Sequence, residues 1–335
     1  MEIDNKIKTN FNKVMEFNRA FDMVSQEPED YTFYVKDSNG DIKINPFKYI
    51  REDIFKDSPT IIKLRLDLIK EELDELFDAI DQNDIIEQRD ACSDILYVVY
   101  GMADVLGIDI DGVFNNNIKH NIDYYINNKL AFEFNNKSSL NENNKNNENN
   151  NYHGNNYNLN SNINIENISN FNKIKMVTNN ILGFNINSKT TVELIILIKD
   201  KLKTSYIQLE NNSINDSDYK YVNMKEKFEI IANNLYVLLK WTYIMSLVIN
   251  TNADKDFAIV HDSNMSKLCA TEEDAINTVQ DYKIKYNASQ SPYDSPYYYY
   301  LPKLNKWIVK NLSTGKALKN IKYKKVCFTN PRFVF

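Results

Sequence analysis

KEELDELFDAIDQNDIIEQRDACSDILYVVYGMADV, residues 70–105, decides how this chain is read. Two apolar helical segments flank the turn Asp81-Gln82-Asn83-Asp84 and carry acids at Glu71, Glu72, Glu75, Glu87 and Asp90. Residues three apart on an α-helix share a face, so Glu72 with Glu75 and Glu87 with Asp90 form two pairs, each aimed in one direction. An antiparallel hairpin brings the pairs together. Four carboxylates around one point repel one another unless a cation is present, and hard oxygen donors of this kind suit Mg²⁺, with Mn²⁺ as the alternative.

The setting of each pair separates it from a solvated surface. Leu64 and Leu68 lead in four-residue steps to Glu72, and Glu87, Asp90 and Asp94 lead into Val98, Gly101 and Val105, so the acids extend apolar stripes. Asp74, Asp78 and Asp81 read as the solvated face. Acids beside a core point to function, because charged residues are rarely buried without a partner or a metal. The competing reading is an acidic hairpin in which Asp84 and Glu87 serve only as a capping box.

Seven glycines, seven prolines, 43% hydrophobic residues and a mostly helical apolar period predict a mainly all-α protein with small β-hairpins. The net charge of −6 argues against a general nucleic-acid partner, since phosphate backbones are bound by basic surfaces. Cys92, Cys269 and Cys327 are scattered and odd in number, which predicts reduced thiols and a cytoplasmic protein. No signal-peptide core opens the chain, and the longest apolar run, residues 235–249, contains Lys240 and is short for a bilayer. No membrane partner is expected.

Four regions follow. Residues 1–134 form a first helical repeat: a helix over 11–24 with Phe17 and Phe21 on one side, a hairpin around Ser38-Asn39-Gly40, then helices over 59–81 and 84–106 ended by Gly107. Residues 135–170 are Asn-rich, without apolar period, and read as a disordered insert. Residues 171–270 repeat the first region, Ile195-Ile196-Leu197-Ile198-Lys199-Asp200 echoing Leu66-Asp67-Leu68-Ile69-Lys70-Glu71. Residues 271–335 form a C-terminal helix and hairpin tail.

In the second repeat Glu72 aligns with Lys201, Glu75 with Thr204, Asp90 with Glu229 and Asp94 with Asn233, so the same metal site cannot form there. That repeat has instead His261-Asp262-Ser263-Asn264-Met265-Ser266-Lys267 just past its last helix. Such a turn offers an amide, a hydroxyl, an ammonium and free N–H groups, which suit a polyphosphate; a helix-terminating turn is the plainer reading. In the tail, residues 307–311 and 316–319 read as a hairpin around Ser313-Thr314-Gly315, with Lys316, Lys319 and Lys322 either touching phosphate or solubilising a strand face.

These residues resemble the all-α NTP pyrophosphohydrolases, the superfamily that includes MazG-like proteins, dimeric dUTPases and phosphoribosyl-ATP pyrophosphohydrolases. Glu71-Glu72-x-x-Glu75 with Glu87-x-x-Asp90 is similar to their metal signature, and residues 90–101 to their second metal helix. Val260 to Leu268 is similar to a segment that in the family follows the acids directly. The resemblance implies Mg²⁺ held by Glu72, Glu75, Glu87 and Asp90, with Glu71 or Asp94 orienting the attacking water. It implies distal phosphates gripped by Asn264 and Lys267, with Lys319 on a lysine-bearing tail, and a base near Phe17 and Asn18.

The activity implied is Mg²⁺-dependent cleavage of a nucleoside triphosphate to the monophosphate and pyrophosphate, as nucleotide-pool house-cleaning. The alternatives are a dedicated dCTP or dUTP hydrolase, and a decayed nucleotide-binding or scaffolding helical protein. Because family sites form between subunits, the division of motifs between two repeats implies a pseudo-dimer within one chain that keeps one composite site. Further homo-oligomerisation stays open.

Overall fold

The computed structural model of the chain describes residues 9–21, 23, 34–36, 42–119, 168–180, 191–214 and 223–328. The Asn-rich insert lies outside these residues as far as 167, as does the predicted Ser38-Asn39-Gly40 turn. The described chain is mainly helical. Its strands form two antiparallel pairs: β1 (Tyr34–Lys36) with β2 (Ile42–Ile44), and β3 (Pro296–Leu301) with β4 (Lys306–Asn311).

The first helices are α1 (Asn10–Ala20), α2 (Ile54–Asp57), α3 (Pro59–Asp81), α4 (Ile85–Leu106) and α5 (Ile110–Lys119). Proline at the first position of α3 costs no hydrogen bond, because that N–H has no helical acceptor. Asp84 caps α4 by accepting from the N–H groups of Ile86 and Glu87 at 3.0 and 3.1 Å. Gly107, at φ 73°, ends it in the left-handed conformation that glycine adopts without strain. Then come α6 (Asn170–Asn180), α7 (Thr191–Ile214), α8 (Met224–Val248), α9 (Ala253–Met265) and α10 (Glu272–Asn287).

The long helices form two hairpins, α3 on α4 and α7 on α8, and these pack against each other through α3 with α7 and α4 with α8. Helix α1 crosses onto α4 and α9, and α6 lies on α8. Phe11, Leu66, Leu96, Phe114, Phe228, Leu235 and Phe257 belong to one shared core. At its centre the hydroxyls of Tyr100 and Tyr243 stand 2.8 Å apart. The Asn10 amide donates to Asp254 at 2.9 Å and to the Tyr243 hydroxyl at 3.4 Å. The Asn170 amide donates to Asp111 at 2.7 Å and to the Tyr100 hydroxyl at 3.0 Å. Asn170, expected as the end of the insert, is therefore a buried residue that opens α6.

Three expectations about local pattern need correction. Leu64 is 50% exposed, and the buried stripe of α3 runs through Ile62, Leu66, Ile69, Leu73 and Leu76, so the acids border the core rather than extend the Leu64–Leu68 line. The first helix stops at Ala20, short of residue 24. In the tail β4 pairs chiefly with β3, Tyr299 opposite Ile308 and Pro296 opposite Asn311, and the return after Gly315 is reduced to a bridge between Lys310 and Ala317.

Among the described residues no single helix is long and apolar enough to cross a membrane. The three cysteines are free, Cys92 and Cys269 buried and Cys327 exposed. Burial pushes the Cys92 thiol up to about 12.

Candidate active site

The hairpin gathers the acids as their spacing predicts. Glu71, Glu72 and Glu75 on α3 face Glu87, Asp90 and Asp94 on α4, and among them Glu72, Glu75, Asp90 and Asp94 hold their protons more tightly than free carboxylates. Burial, then the charges of Asp94, Glu75, Glu71 and Asp90, push Glu72 up to about 8. Burial raises Glu75, with Glu71 and Glu87 adding to it. Asp90 is raised by burial and by Glu87 and Glu75, against the pull of Lys319 and Lys325. Asp94 rises to about 7, chiefly through burial and then Asp90, with Lys267 and Lys319 opposing.

This cluster stores like-charge repulsion that a cation would relieve. Its donors are all carboxylate oxygens, the chemistry of a hard divalent ion. Asp90 Oδ1 is buried without a hydrogen-bond partner, an acceptor left for a ligand. Among the described residues no three His, Cys, Asp or Glu side chains are grouped so as to hold a metal ion together. Mg²⁺ usually retains several waters and takes few protein ligands directly, so the acid set fits a hydrated ion.

The cations arrive from the other half of the chain. Residues 261–265, expected just past the last helix, form the closing turns of α9, and Lys267 follows its cap at Ser266. Lys267 donates to Asn264 Oδ1 at 2.6 Å and lies 5.7 Å over the Phe17 ring. Burial lowers its ammonium to about 8; Asp94 opposes this, and Lys319 and Lys316 add to it. Phe17 stacks edge-on against Tyr97 at 5.4 Å, so α1, α4 and α9 meet beside the acids. Tyr97 in turn bonds His261 Nδ1 at 3.1 Å, and His261 faces Glu16 at 3.6 Å.

Asn18 is not presented to a ligand. It is 1% exposed and donates to Asp104 Oδ2 at 2.7 Å inside the core, so the base contact expected of it gives way to a structural bond. Lys322 is likewise committed, 2.7 Å from Asp274. The Ser266 hydroxyl is occupied too, donating to Ser263 O and accepting from Lys324 N.

Nothing in the acidic run marks Arg89 as special. It stands between Glu87 and Asp90, yet turns away to pair with Asp256 on α9, Nε to Oδ2 at 3.0 Å and Nη2 to Oδ1 at 2.7 Å. Both residues are buried. This forked pair fixes the helix bearing Asp90 and Asp94 against the helix that leads to Lys267. No local signal could announce a partner 167 positions away.

The second hairpin offers a counterpart cleft lined by Gln208, Asn212, Glu226, Glu229, Ile230, Asn233 and Asn234. Its α7 side is thus formed by Gln208 and Asn212 rather than by Lys201 and Thr204, the positions expected from the repeat.

Residues 40–121 match the model of the phosphoribosyl-ATP pyrophosphohydrolase family. An uncharacterized protein of Acanthamoeba polyphaga mimivirus is 28% identical over 318 residues, covering 94% of this chain and 92% of that protein. No solved structure matches the chain.

Proposed function

We infer that this chain, whose residues 40–121 carry a pyrophosphohydrolase domain, is an Mg²⁺-dependent nucleoside triphosphate pyrophosphohydrolase releasing a nucleoside monophosphate and pyrophosphate. At the family level the domain supports hydrolysis of pyrophosphate bonds in nucleotides. The observation carrying the finer reading is the juxtaposition of the six-acid cluster with Lys267, Asp94 being raised by burial and then by Asp90 and restrained by the lysine's charge. Acids alone would suit a cation; acids with lysines beside them suit a cation together with a polyphosphate.

Glu72, Glu75, Glu87 and Asp90 would hold the ion. When bound, it supplies Lewis-acid polarisation of the α-phosphate, a more acidic water and charge neutralisation for the departing pyrophosphate. Asp94, with Glu71 as the other candidate, orients the attacking water and accepts its proton. Lys267, held by Asn264, grips the distal phosphates, and Lys319 approaches from the tail. Phe17 offers a ring face beside Lys267, a place for the base.

The chain reads as a fused pseudo-dimer with one composite site. The paired Asn10 and Asn170 networks around Tyr100 and Tyr243 support that reading, as does a relative that spans both halves. The test is incubation with a panel of NTPs and dNTPs plus Mg²⁺, measuring pyrophosphate and phosphate separately. Pyrophosphate with monophosphate is expected. Release of phosphate alone, or of neither, refutes the reading.

A further inference from the structure

Away from the acid cluster, the α7–α8 hairpin holds a cleft of about 640 Å³, a size that takes a small organic ligand. On its α8 side stands Asn234, 4% exposed, whose side-chain amide has no hydrogen-bond partner among the described residues. A buried amide left unmatched costs free energy, so its donor and acceptor are kept for whatever enters the cleft. Three more amides line the same space, Gln208 and Asn212 from α7 and Asn233 from α8. Asn212 Nδ2 donates to the Gln208 carbonyl at 2.6 Å, which leaves its Oδ1 as the atom it can offer. Ile230, 39% exposed, adds an apolar surface.

Charge decides what this set excludes. Among the described residues no lysine or arginine lines the cleft, whereas Glu226 and Glu229 both do. Lys225 reaches Glu229 at 3.8 Å, but that pair is exposed and offsets the carboxylate weakly. A phosphate brought here would meet carboxylates without a compensating cation. Amides, by contrast, present a donor beside an acceptor, the arrangement that pairs with the edge of a nucleobase, and an apolar side chain takes the face of its ring. A sugar alone would leave Ile230 uncovered, and an amine would leave the amide donors unmatched. We propose that the α7–α8 cleft is a second ligand site that binds an unphosphorylated nucleoside through Asn234, Asn233, Gln208 and Asn212, while Glu226 and Glu229 keep nucleotides out.

The experiment is calorimetric titration of the full-length protein, with metal chelated, by adenosine, guanosine, cytidine and uridine, each compared with its 5′-monophosphate. At least one nucleoside is expected to bind at one site per chain, and its monophosphate at least about tenfold more weakly. Asn234→Leu should weaken the nucleoside by about tenfold or more while the melting temperature holds or rises, because an unmatched buried amide has been replaced by an apolar group. A merely structural asparagine would show the opposite pair of results. Glu226→Gln combined with Glu229→Gln should bring the monophosphate to within about threefold of the nucleoside. Repeating the titration with Mg²⁺ and a saturating α,β-imido nucleoside triphosphate should leave nucleoside binding unchanged. The second site is overturned if none of the four nucleosides binds at millimolar concentration, if Asn234→Leu binds like the unaltered protein, or if the imido compound displaces the nucleoside. Gln208→Ala and Asn233→Ala alter exposed side chains and should each weaken binding severalfold, so they decide the matter should Asn234→Leu fail to fold. Failure of the imido compound itself to bind would sink the hydrolase reading alone.

Discussion

The two long hairpins share a scaffold and differ in charge. Helices α4 and α8 each begin after a capping side chain, Asp84 and Asn223. Each then sets polar residues three, six and ten positions beyond it: Glu87, Asp90 and Asp94 in the first, Glu226, Glu229 and Asn233 in the second. Across from them stand Glu71, Glu72 and Glu75 on α3, but Gln208 and Asn212 on α7. In the second cleft amides stand across from Glu226 and Glu229, so fewer like charges meet and a long hairpin of this kind does not require acids on both of its helices. The first hairpin carries its acids against an electrostatic cost seen in Glu72 and Asp94, and such a cost points to a ligand.

The comparison breaks most sharply by exchanging acid for amide. Glu72→Gln or Asp90→Asn is expected to lower pyrophosphate release by at least about a hundredfold while the protein stays folded, as loss of a ligand in a metal site does. Glu226→Gln and Glu229→Gln should leave it within about twofold. Equal losses from both hairpins would make the second cleft a working site.

Next in size is the lock between α4 and α9. Arg89→Met alone leaves Asp256 buried and unpaired, which should cost roughly 3–5 kcal/mol in denaturant unfolding, whereas Arg89→Met with Asp256→Leu should recover most of it. A double variant as unstable as the single one would mean that charge pairing is not what joins the helices. The exposed pair Lys199–Asp81, which also crosses between the hairpins, should by contrast be worth less than about 1 kcal/mol.

The pH dependence sharpens the contrast further. Glu72 holds its proton more tightly folded than unfolded, so between the ordinary carboxylate range and about 8 the folded state binds more protons and stability falls as pH rises. With Mg²⁺ chelated, the melting temperature should drop by a few degrees from about pH 5 to pH 8, and added Mg²⁺ should restore it at pH 8. Glu72→Gln should flatten the profile. A chelated wild-type profile as flat as the variant's would remove the repulsion argument.

Much of this was legible because local chemistry carried it. Pro59, Asp84 and Gly107 bound the first hairpin, and the i, i+3 acids on it could be read without coordinates. Other features depend on what a residue meets across the fold. Arg89 looks like one more charge in an acidic run until Asp256 reaches it, and Asn18 looks available until Asp104 takes its amide. Residues 296–301 hide a strand because Pro296 and a run of tyrosines give no alternation, and pairing with β4 decides them. Asn320 carries no signal of its own; its meaning lies in the carbonyls of Ser266 and Leu268, which its amide holds.

The central claim is that acids of the first hairpin and a lysine of the second half serve one site, and affinity for an uncleavable substrate tests it most directly. The dissociation constant of an α,β-imido deoxynucleoside triphosphate with Mg²⁺ would be measured for the unaltered protein and for Lys267→Ala, near pH 7 where the ammonium is charged. A weakening on the order of tenfold to a hundredfold is expected for loss of a charge-assisted phosphate contact. An unchanged dissociation constant would contradict the composite site.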